Sequence, residues 1–324
     1  MSDVLALKYR PTTFEEVVGQ DQTVSQLQSA LENGTLGHAL LFCGTRGTGK
    51  TTTARIVARE LNEKYPEIHD NWDNRRHLVL TEIDGASNTG VDNVRELIES
   101  IRYSTQGHRV VIIDEAHMLS KNAFNALLKT LEEPPEKTMF ILCTTEPHKL
   151  IDTVKSRCQI YEFHEVELKT LEAYYEHIME LEGKQVDVSA AALKANGSVR
   201  DGLSILQKAL SGEQEADTSK QYFELVGAIY SQDVATALQL VSELRKAEEA
   251  RVIIQTLEKW FYWCSMESFG QKTPVRPFFG DAELTFDLAH LQRLFDSCLD
   301  VERNFVATPN SKIVLEMGVM KLCL

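Results

Sequence analysis

A chain of 324 residues with 43% hydrophobic and 25% charged side chains has material for more than one core, which predicts two or three domains and excludes a disordered or fibrous polymer. The formal net charge of −14 excludes a protein that coats nucleic acid by bulk attraction, because that mode needs clustered Lys and Arg. It leaves room for local contact through helix N-termini, whose unpaired N–H groups favour phosphate without side-chain charge.

Met1-Ser2-Asp3-Val4 lacks a basic start and a following apolar stretch, and no apolar run reaches roughly 18 residues, so a cytoplasmic protein with no membrane partner is expected. Short apolar runs at 38–43, 78–83, 110–113, 139–143 and 159–163 alternate with helical patterns. That alternation predicts a parallel sheet covered on both faces. After Glu165 the strand signal stops. Residues 168–211 read as helical with an interruption at Asn196-Gly197, 212–217 as a polar linker, and 218–324 as helical again except for a Gly/Pro-bearing loop at 270–280. Cys43, Cys143, Cys158, Cys264, Cys298 and Cys323 lie far apart without a Cys-x-x-Cys pair, and are expected to be reduced, buried thiols.

Gly44-Thr45-Arg46-Gly47-Thr48-Gly49-Lys50-Thr51 meets every position of the G-x-x-x-x-G-K-[ST] pattern, directly after an apolar strand and before a helical run over 52–61. A glycine turn with a chance Lys-Thr is the plain alternative, and the strand-loop-helix setting argues against it. Glycines let the backbone wrap a phosphate, Lys50 brings a point charge to the β and γ phosphates, and the Thr51 hydroxyl suits magnesium. The nucleotide-binding candidates here are Gly44, Gly47, Thr48, Gly49, Lys50, Thr51 and Thr52, with ATP and Mg2+ as the implied ligands.

The run 110–113 leads straight into Asp114-Glu115, at the sheet edge where ligands bind in open α/β folds. Asp114 is expected to hold magnesium and Glu115 to orient and polarise the attacking water; a solvated strand-end pair is the alternative. His117 has two readings, a sensor of nucleotide or DNA and a packed histidine. Thr144 and Thr145 end the run 139–143 at the same edge, and Thr145 is a candidate γ-phosphate sensor, although two threonines at a strand end are also ordinary β formers. Ser198 and Asp201 form a capping-box-like helix start that places Arg200 in the first turn. A cation there opposes the helix dipole, which makes sense if it faces an anionic ligand; the alternative is a surface arginine.

These motifs in this order resemble the clamp-loader branch of the AAA+ ATPases, near the bacterial gamma/tau subunits and more distantly the replication factor C small subunits. The resemblance spans most of residues 1–210. Tyr9-Arg10-Pro11 and Phe14-Glu15-Glu16-Val17-Val18-Gly19-Gln20 are similar to the family's adenine-side segment, residues 125–135 to the helix after the acidic pair, and Ser156-Arg157-Cys158 to its most specific box. The resemblance implies an α/β fold with a five-stranded parallel sheet at 1–165, a small helical lid at 166–212 and an all-α collar at 213–324 that joins a five-membered ring. It implies ATP hydrolysis coupled to placing a sliding clamp at primer-template junctions. It makes Tyr9, Arg10, Pro11, Val18 and Arg200 nucleotide contacts, and Arg157 a finger reaching the neighbouring subunit's site.

It further implies that the helix starts at Thr89-Gly90-Val91-Asp92 and Ser120-Lys121-Asn122 track template backbone, so Thr89, Lys121 and Asn122 are DNA candidates beside the solvated-cap alternative. Tyr103, just past a helix over 91–102 with core positions Val94, Leu97, Ile98 and Ile101, is a candidate clamp anchor. Departures stand beside the match. Residues 62–77 hold none of the four zinc-binding cysteines usual in bacterial relatives, residues 86–90 lack the basic residues common there, and the chain ends at Leu324 without the long tail of the tau form. A compact bacteriophage or divergent replisome is the expectation these raise. Trp260-Phe261-Tyr262-Trp263 places aromatics around a helix that must then be buried on more than one side. Two rivals remain: a helicase or branch-migration AAA+ motor, which needs a C-terminal DNA-binding module, and a non-catalytic scaffold, against which intact Lys50, Thr51, Asp114 and Glu115 speak.

Overall fold

The five apolar runs become five parallel strands in a computed structural model that describes residues 4–64, 79–101, 107–211, 218–246, 248–271, 273, 275–279, 286–307 and 310–324. They are β1 Ala39–Gly44, β2 Leu80–Asp84, β3 Arg109–Asp114, β4 Thr138–Thr144 and β5 Gln159–Phe163, in the order β2-β3-β4-β1-β5. β4 thus lies between β1 and β3, with Cys43 paired to Thr144 and Ile113 to Leu142. This order brings the ends of three strands together, so the loop after β1, the carboxylates at the end of β3 and the threonines at the end of β4 share one stretch of sheet edge.

The sheet is apolar on both faces because helices cover both. Phe42, Ile112 and Ile141 pack with the helices Asp21–Glu32 and Lys50–Glu60 through Leu27, Ile56 and Val57. Leu41, Val111, Ile113 and Leu142 pack on the other side with Val91–Ser100 and Lys121–Glu132 through Val94, Leu97, Phe124 and Leu127. Burial on two faces explains why these strands read as continuous apolar runs and not as alternating ones. Val94, Leu97 and Ile101 are buried as their spacing predicts.

Residues after β5 form three helices, Leu168–Glu182, Val188–Ala195 and Val199–Leu210, one more break than the sequence reading gave. The missed break has local causes: Gly183 ends the first helix in the left-handed region, and the Asp187 carboxylate caps the second by accepting from Ser189 and Ala190 N–H at 3.1 and 3.2 Å. Leu171, Tyr175, Ile178, Leu203 and Leu206 form their core, and Leu5 from the N-terminal segment is buried in it.

The chain divides into two compact units, Met1–Gly212 and Glu213–Leu324. The expected linker at 212–217 lies outside the described residues. The second unit is helical throughout its described residues, with Ser219–Tyr230, Val234–Leu244, Ala250–Ser268, Leu288–Ala307 and Ser311–Leu322, and a short turn of helix at Arg276–Phe279 inside the expected loop. Its core holds Trp260 and Phe261, with Trp263 partly buried against it, whereas Tyr262 is 52% exposed. Three of the four clustered aromatics therefore serve this unit's own packing. Among the described residues no helix is long and apolar enough to cross a membrane.

In the three-helix layer, Gly202 lies against the buried Tyr175 ring, whose hydroxyl donates to the Ser198 and Val199 carbonyls at 3.3 Å. A methyl at 202 would overlap that hydroxyl. Gly202→Ala should therefore destabilise the first unit by about 1–3 kcal/mol despite alanine's better helix propensity, read as a lowered urea midpoint.

Candidate active site

The loop between β1 and the helix Lys50–Glu60 sets the geometry. Lys50 is 6% exposed and its ammonium donates to the carbonyls of Gly44 at 2.8 Å and Thr45 at 2.6 Å. Burial pulls its pKa below the usual lysine value. The buried Thr48 hydroxyl donates to the Thr45 carbonyl at 2.8 Å, which ties the loop to itself. Gly47 has φ +77°, and a Cβ there would overlap Ser198 Oγ, so only glycine lets the loop lie this close to the start of the helix Val199–Leu210.

Across the edge, the Thr51 hydroxyl donates to Asp114 Oδ2 at 2.8 Å. A hydroxyl and a carboxylate at this spacing form an oxygen pair suited to magnesium, which takes few protein ligands and keeps several waters. Asp114 Oδ1 also accepts from the Glu115 N–H at 3.0 Å. Glu115 follows in the left-handed region, φ 45° and ψ 46°, a conformation uncommon for a non-glycine residue. Its carboxylate accepts from the Thr145 hydroxyl at 3.2 Å. The His117 side chain is 6% exposed, with Nδ1 3.0 Å from Thr144 Oγ1 and Nε2 3.3 Å from Glu146 Oε1, so the packed reading describes its burial.

One cavity of about 300 Å³ gathers these parts. Of the sequence-derived candidates, Tyr9, Arg10, Pro11, Val18, Gly47, Thr48, Gly49, Lys50, Thr51, Thr52, Asp114, Glu115 and Arg200 line it. Ser198 Oγ accepts from the Asp201 N–H at 3.2 Å, the expected cap, and this fixes the turn that carries Arg200. The N-terminal segment is tied to the helical layer: Tyr9 donates its hydroxyl to Glu182 Oε1 at 2.8 Å, Tyr174 donates to the Tyr9 carbonyl at 3.3 Å, and Leu5 N–H donates to Gln207 Oε1 at 2.8 Å. Burial pushes the Tyr174 phenol up to about 12, so it stays a donor at neutral pH.

Two candidates stand differently. Gly44 does not line the cavity; it pairs with Phe163 across the sheet and offers its carbonyl to Lys50, so its contact is with the lysine. Thr145 reaches the site through Glu115 and not as a cavity wall. Val17, in the segment already matched to the family, lines the cavity as well, and so do Arg46, Tyr174 and Leu203, which had not been singled out. Arg46 is a variable position of the loop pattern, and Tyr174 and Leu203 are helix-face residues that only tertiary packing brings here.

Other candidates lie apart. Arg157 is outside the cavity; its Nε donates to Glu132 Oε1 at 2.6 Å and one guanidinium nitrogen donates to the Thr153 carbonyl at 2.7 Å. Thr89, Lys121 and Asn122 are exposed, and the two helix starts that carry them adjoin through a Ser120 N–H to Thr89 carbonyl bond of 3.2 Å. Ser120 caps its helix by accepting from Ala123 N–H at 3.2 Å. Tyr103 lies outside the described residues.

All six thiols are unpaired and five are buried. Burial pushes Cys43, at the end of β1, and Cys158 up to about 11, and the fully enclosed Cys143 well above the usual thiol value. At about pH 8 these three thiols are protonated, so the folded chain should resist labelling there and gain it only on unfolding or as the pH climbs towards those values. Rapid labelling of Cys43 at that pH would contradict a closed strand edge behind the loop.

The family described as DNA polymerase III, delta subunit, matches residues 19–167. A DNA polymerase III subunit tau from Bacillus subtilis is 32% identical over 97% of this chain and 62% of its own length. A DNA polymerase III subunit gamma/tau from Mycobacterium tuberculosis is 40% identical over 75% of this chain and 44% of its own length. The chain thus spans roughly half the length of these relatives. A RuvB structure from Thermotoga maritima, 22% identical, superposes with a TM-score of 0.50 over 63% of this chain and 65% of its own, a likeness of fold alone. Taken with the sheet order and the phosphate loop, these matches mean that the chain belongs to the clamp-loader-like AAA+ proteins, among relatives of the DNA polymerase III gamma/tau kind.

Proposed function

We propose that this chain hydrolyses MgATP as one subunit of a DNA sliding-clamp loader that opens a ring-shaped clamp and places it at primer-template junctions, hydrolysis triggering release. The observation that carries the reading is convergence. A phosphate loop with a buried lysine, the Thr51–Asp114 oxygen pair, Glu115 and a cation from the helical layer all face one cavity. The names of the relatives support the replication setting.

Phosphoryl transfer asks mainly for positioning and charge stabilisation. In this reading the backbone of Gly47, Thr48 and Gly49 cradles the phosphates, and Lys50 turns from its own carbonyls to the β and γ oxygens. Thr51 and Asp114 hold magnesium, which when bound neutralises charge on the transferred group. Glu115 orients the attacking water, Thr145 and Arg200 attend the γ phosphate, and Tyr9, Arg10, Pro11 and Val18 enclose the base. ATP favours the clamp-gripping state only by binding it more tightly than the open one.

Arg157 is assigned to the neighbouring subunit's site, an assignment supported by its place outside its own cavity. Exposure of Thr89, Lys121 and Asn122 on adjoining helix starts supports contact with the template backbone, a contact that positions without reading sequence. Residues 166–212 serve as the lid, and 213–324 as the collar of a five-membered ring with other loader subunits.

Steady-state hydrolysis tests this. Turnover should rise when clamp and primed template are added to the assembled loader. Glu115→Gln should keep MgATP binding while kcat falls by about 10² or more, which a non-catalytic scaffold would not show. Arg157→Ala should cut the stimulated rate by about 10³ or more. An assembly that binds no MgATP, or hydrolyses it with no response to clamp and DNA, sinks the reading.

A further inference from the structure

Glu115 has to present its carboxylate in one direction from a strained backbone. Left-handed φ and ψ are unfavourable for a non-glycine residue, so the conformation persists only if neighbours hold it. Among the described residues two side chains reach the carboxylate: the Thr145 hydroxyl at 3.2 Å from Oε2, and His117 Nδ1 at 3.5 Å from the same oxygen.

The histidine is fixed at several points. It sits two residues on, in the single turn Ala116–Met118, where the Met118 N–H donates to the Glu115 carbonyl at 2.9 Å. Its Nδ1 also lies 3.0 Å from Oγ1 of the fully buried Thr144, a hydroxyl that itself accepts from the Glu146 N–H at 3.0 Å. At the far side of the ring Nε2 is 3.3 Å from Glu146 Oε1, and Lys149, 2.7 Å from Glu146, keeps that carboxylate below its usual pKa and therefore ionised. Each ring nitrogen thus has an oxygen within hydrogen-bonding distance, Thr144 Oγ1 at Nδ1 and Glu146 Oε1 at Nε2.

We propose that His117 is a positioning residue for Glu115: its Nδ1 edge, braced by Thr144 and anchored through Nε2 on Glu146, holds the carboxylate in register with the attacking water. This rests on the reading of the site as an MgATP hydrolase. Buried ring nitrogens need partners in any case; what points past simple packing is that the Nδ1 edge faces Glu115 Oε2 as well as Thr144 Oγ1.

Side-chain geometry separates the two roles. An asparagine amide sits as many bonds from Cβ as Nδ1 does, and a glutamine amide reaches the level of Nε2. His117→Asn therefore retains the Glu115-facing contact and loses the Glu146 anchor, whereas His117→Gln does the reverse. Steady-state kcat and the binding of a fluorescent MgATP analogue would be measured on the loader assembled with clamp and primed template, for wild type, both variants and His117→Ala.

The expected order of kcat is wild type, then Asn within about threefold, then Gln and Ala lower by about tenfold or more, with nucleotide affinity within about twofold throughout. A Gln variant as active as the Asn variant or more so, or full activity in Ala, overturns the proposal, as does a loss of nucleotide affinity that parallels the loss of kcat. A wild-type assembly without MgATP turnover overturns the hydrolase reading itself and this inference with it, so the two failures are told apart by the wild-type arm.

Discussion

An ammonium group with almost no water around it must be surrounded by oxygen, and Lys50 is held by the carbonyls of Gly44 and Thr45. Those carbonyls are available because β1 ends there, in the interior of the sheet between β4 and β5. The strand fixes where the loop begins, the loop turns its carbonyls inward to the lysine, and the lysine stays buried as long as both hold. Burial lowers its affinity for its own proton, and the two carbonyls offset part of the cost of holding the charge away from water.

The loop depends in turn on the helical layer. Gly47 lies where any side chain would strike Ser198, so loop and helix start meet backbone to side chain without an intervening group. The same serine caps the helix that carries Arg200, which makes one contact responsible for two parts of the cavity wall. The N-terminal segment is fastened to this layer through Tyr9, Glu182, Tyr174, Leu5 and Gln207. The cavity walls formed by the N-terminal segment and by the three helices after β5 are therefore tied together, facing the sheet edge that bears Asp114 and Glu115. A ligand that bridged the two would change their separation only through the contacts it makes with each.

The neighbourhood of Glu115 has a different design. Instead of a rigid strand position, the residue occupies a left-handed turn whose backbone is held by short-range hydrogen bonds and whose carboxylate is held by side chains from the residue after β4 and from the turn itself. Thr144 and Thr145 divide the work: one braces His117 and the Glu146 backbone, the other donates to Glu115. Arg157, by contrast, is engaged outside the cavity with Glu132 and Thr153.

Local chemistry makes much of this legible in the sequence. Strand ranges came within two residues because doubly covered strands need unbroken apolar runs, and the phosphate loop and Asp114-Glu115 were legible because backbone wrapping and charge placement demand particular residue types at fixed spacing. The helix break after Glu182 was missed although Gly183 and Asp187 are ordinary stop and start signals, since a helical pattern resumes so soon after them. What no local pattern encodes is which helix face meets which strand end. The approach of Tyr174 and Leu203 to the cavity, the diversion of Gly44 to the lysine and the placing of His117 between Glu115, Thr144 and Glu146 were decided by tertiary packing alone, because they arise where segments far apart in the chain are pressed together by the burial of their apolar faces.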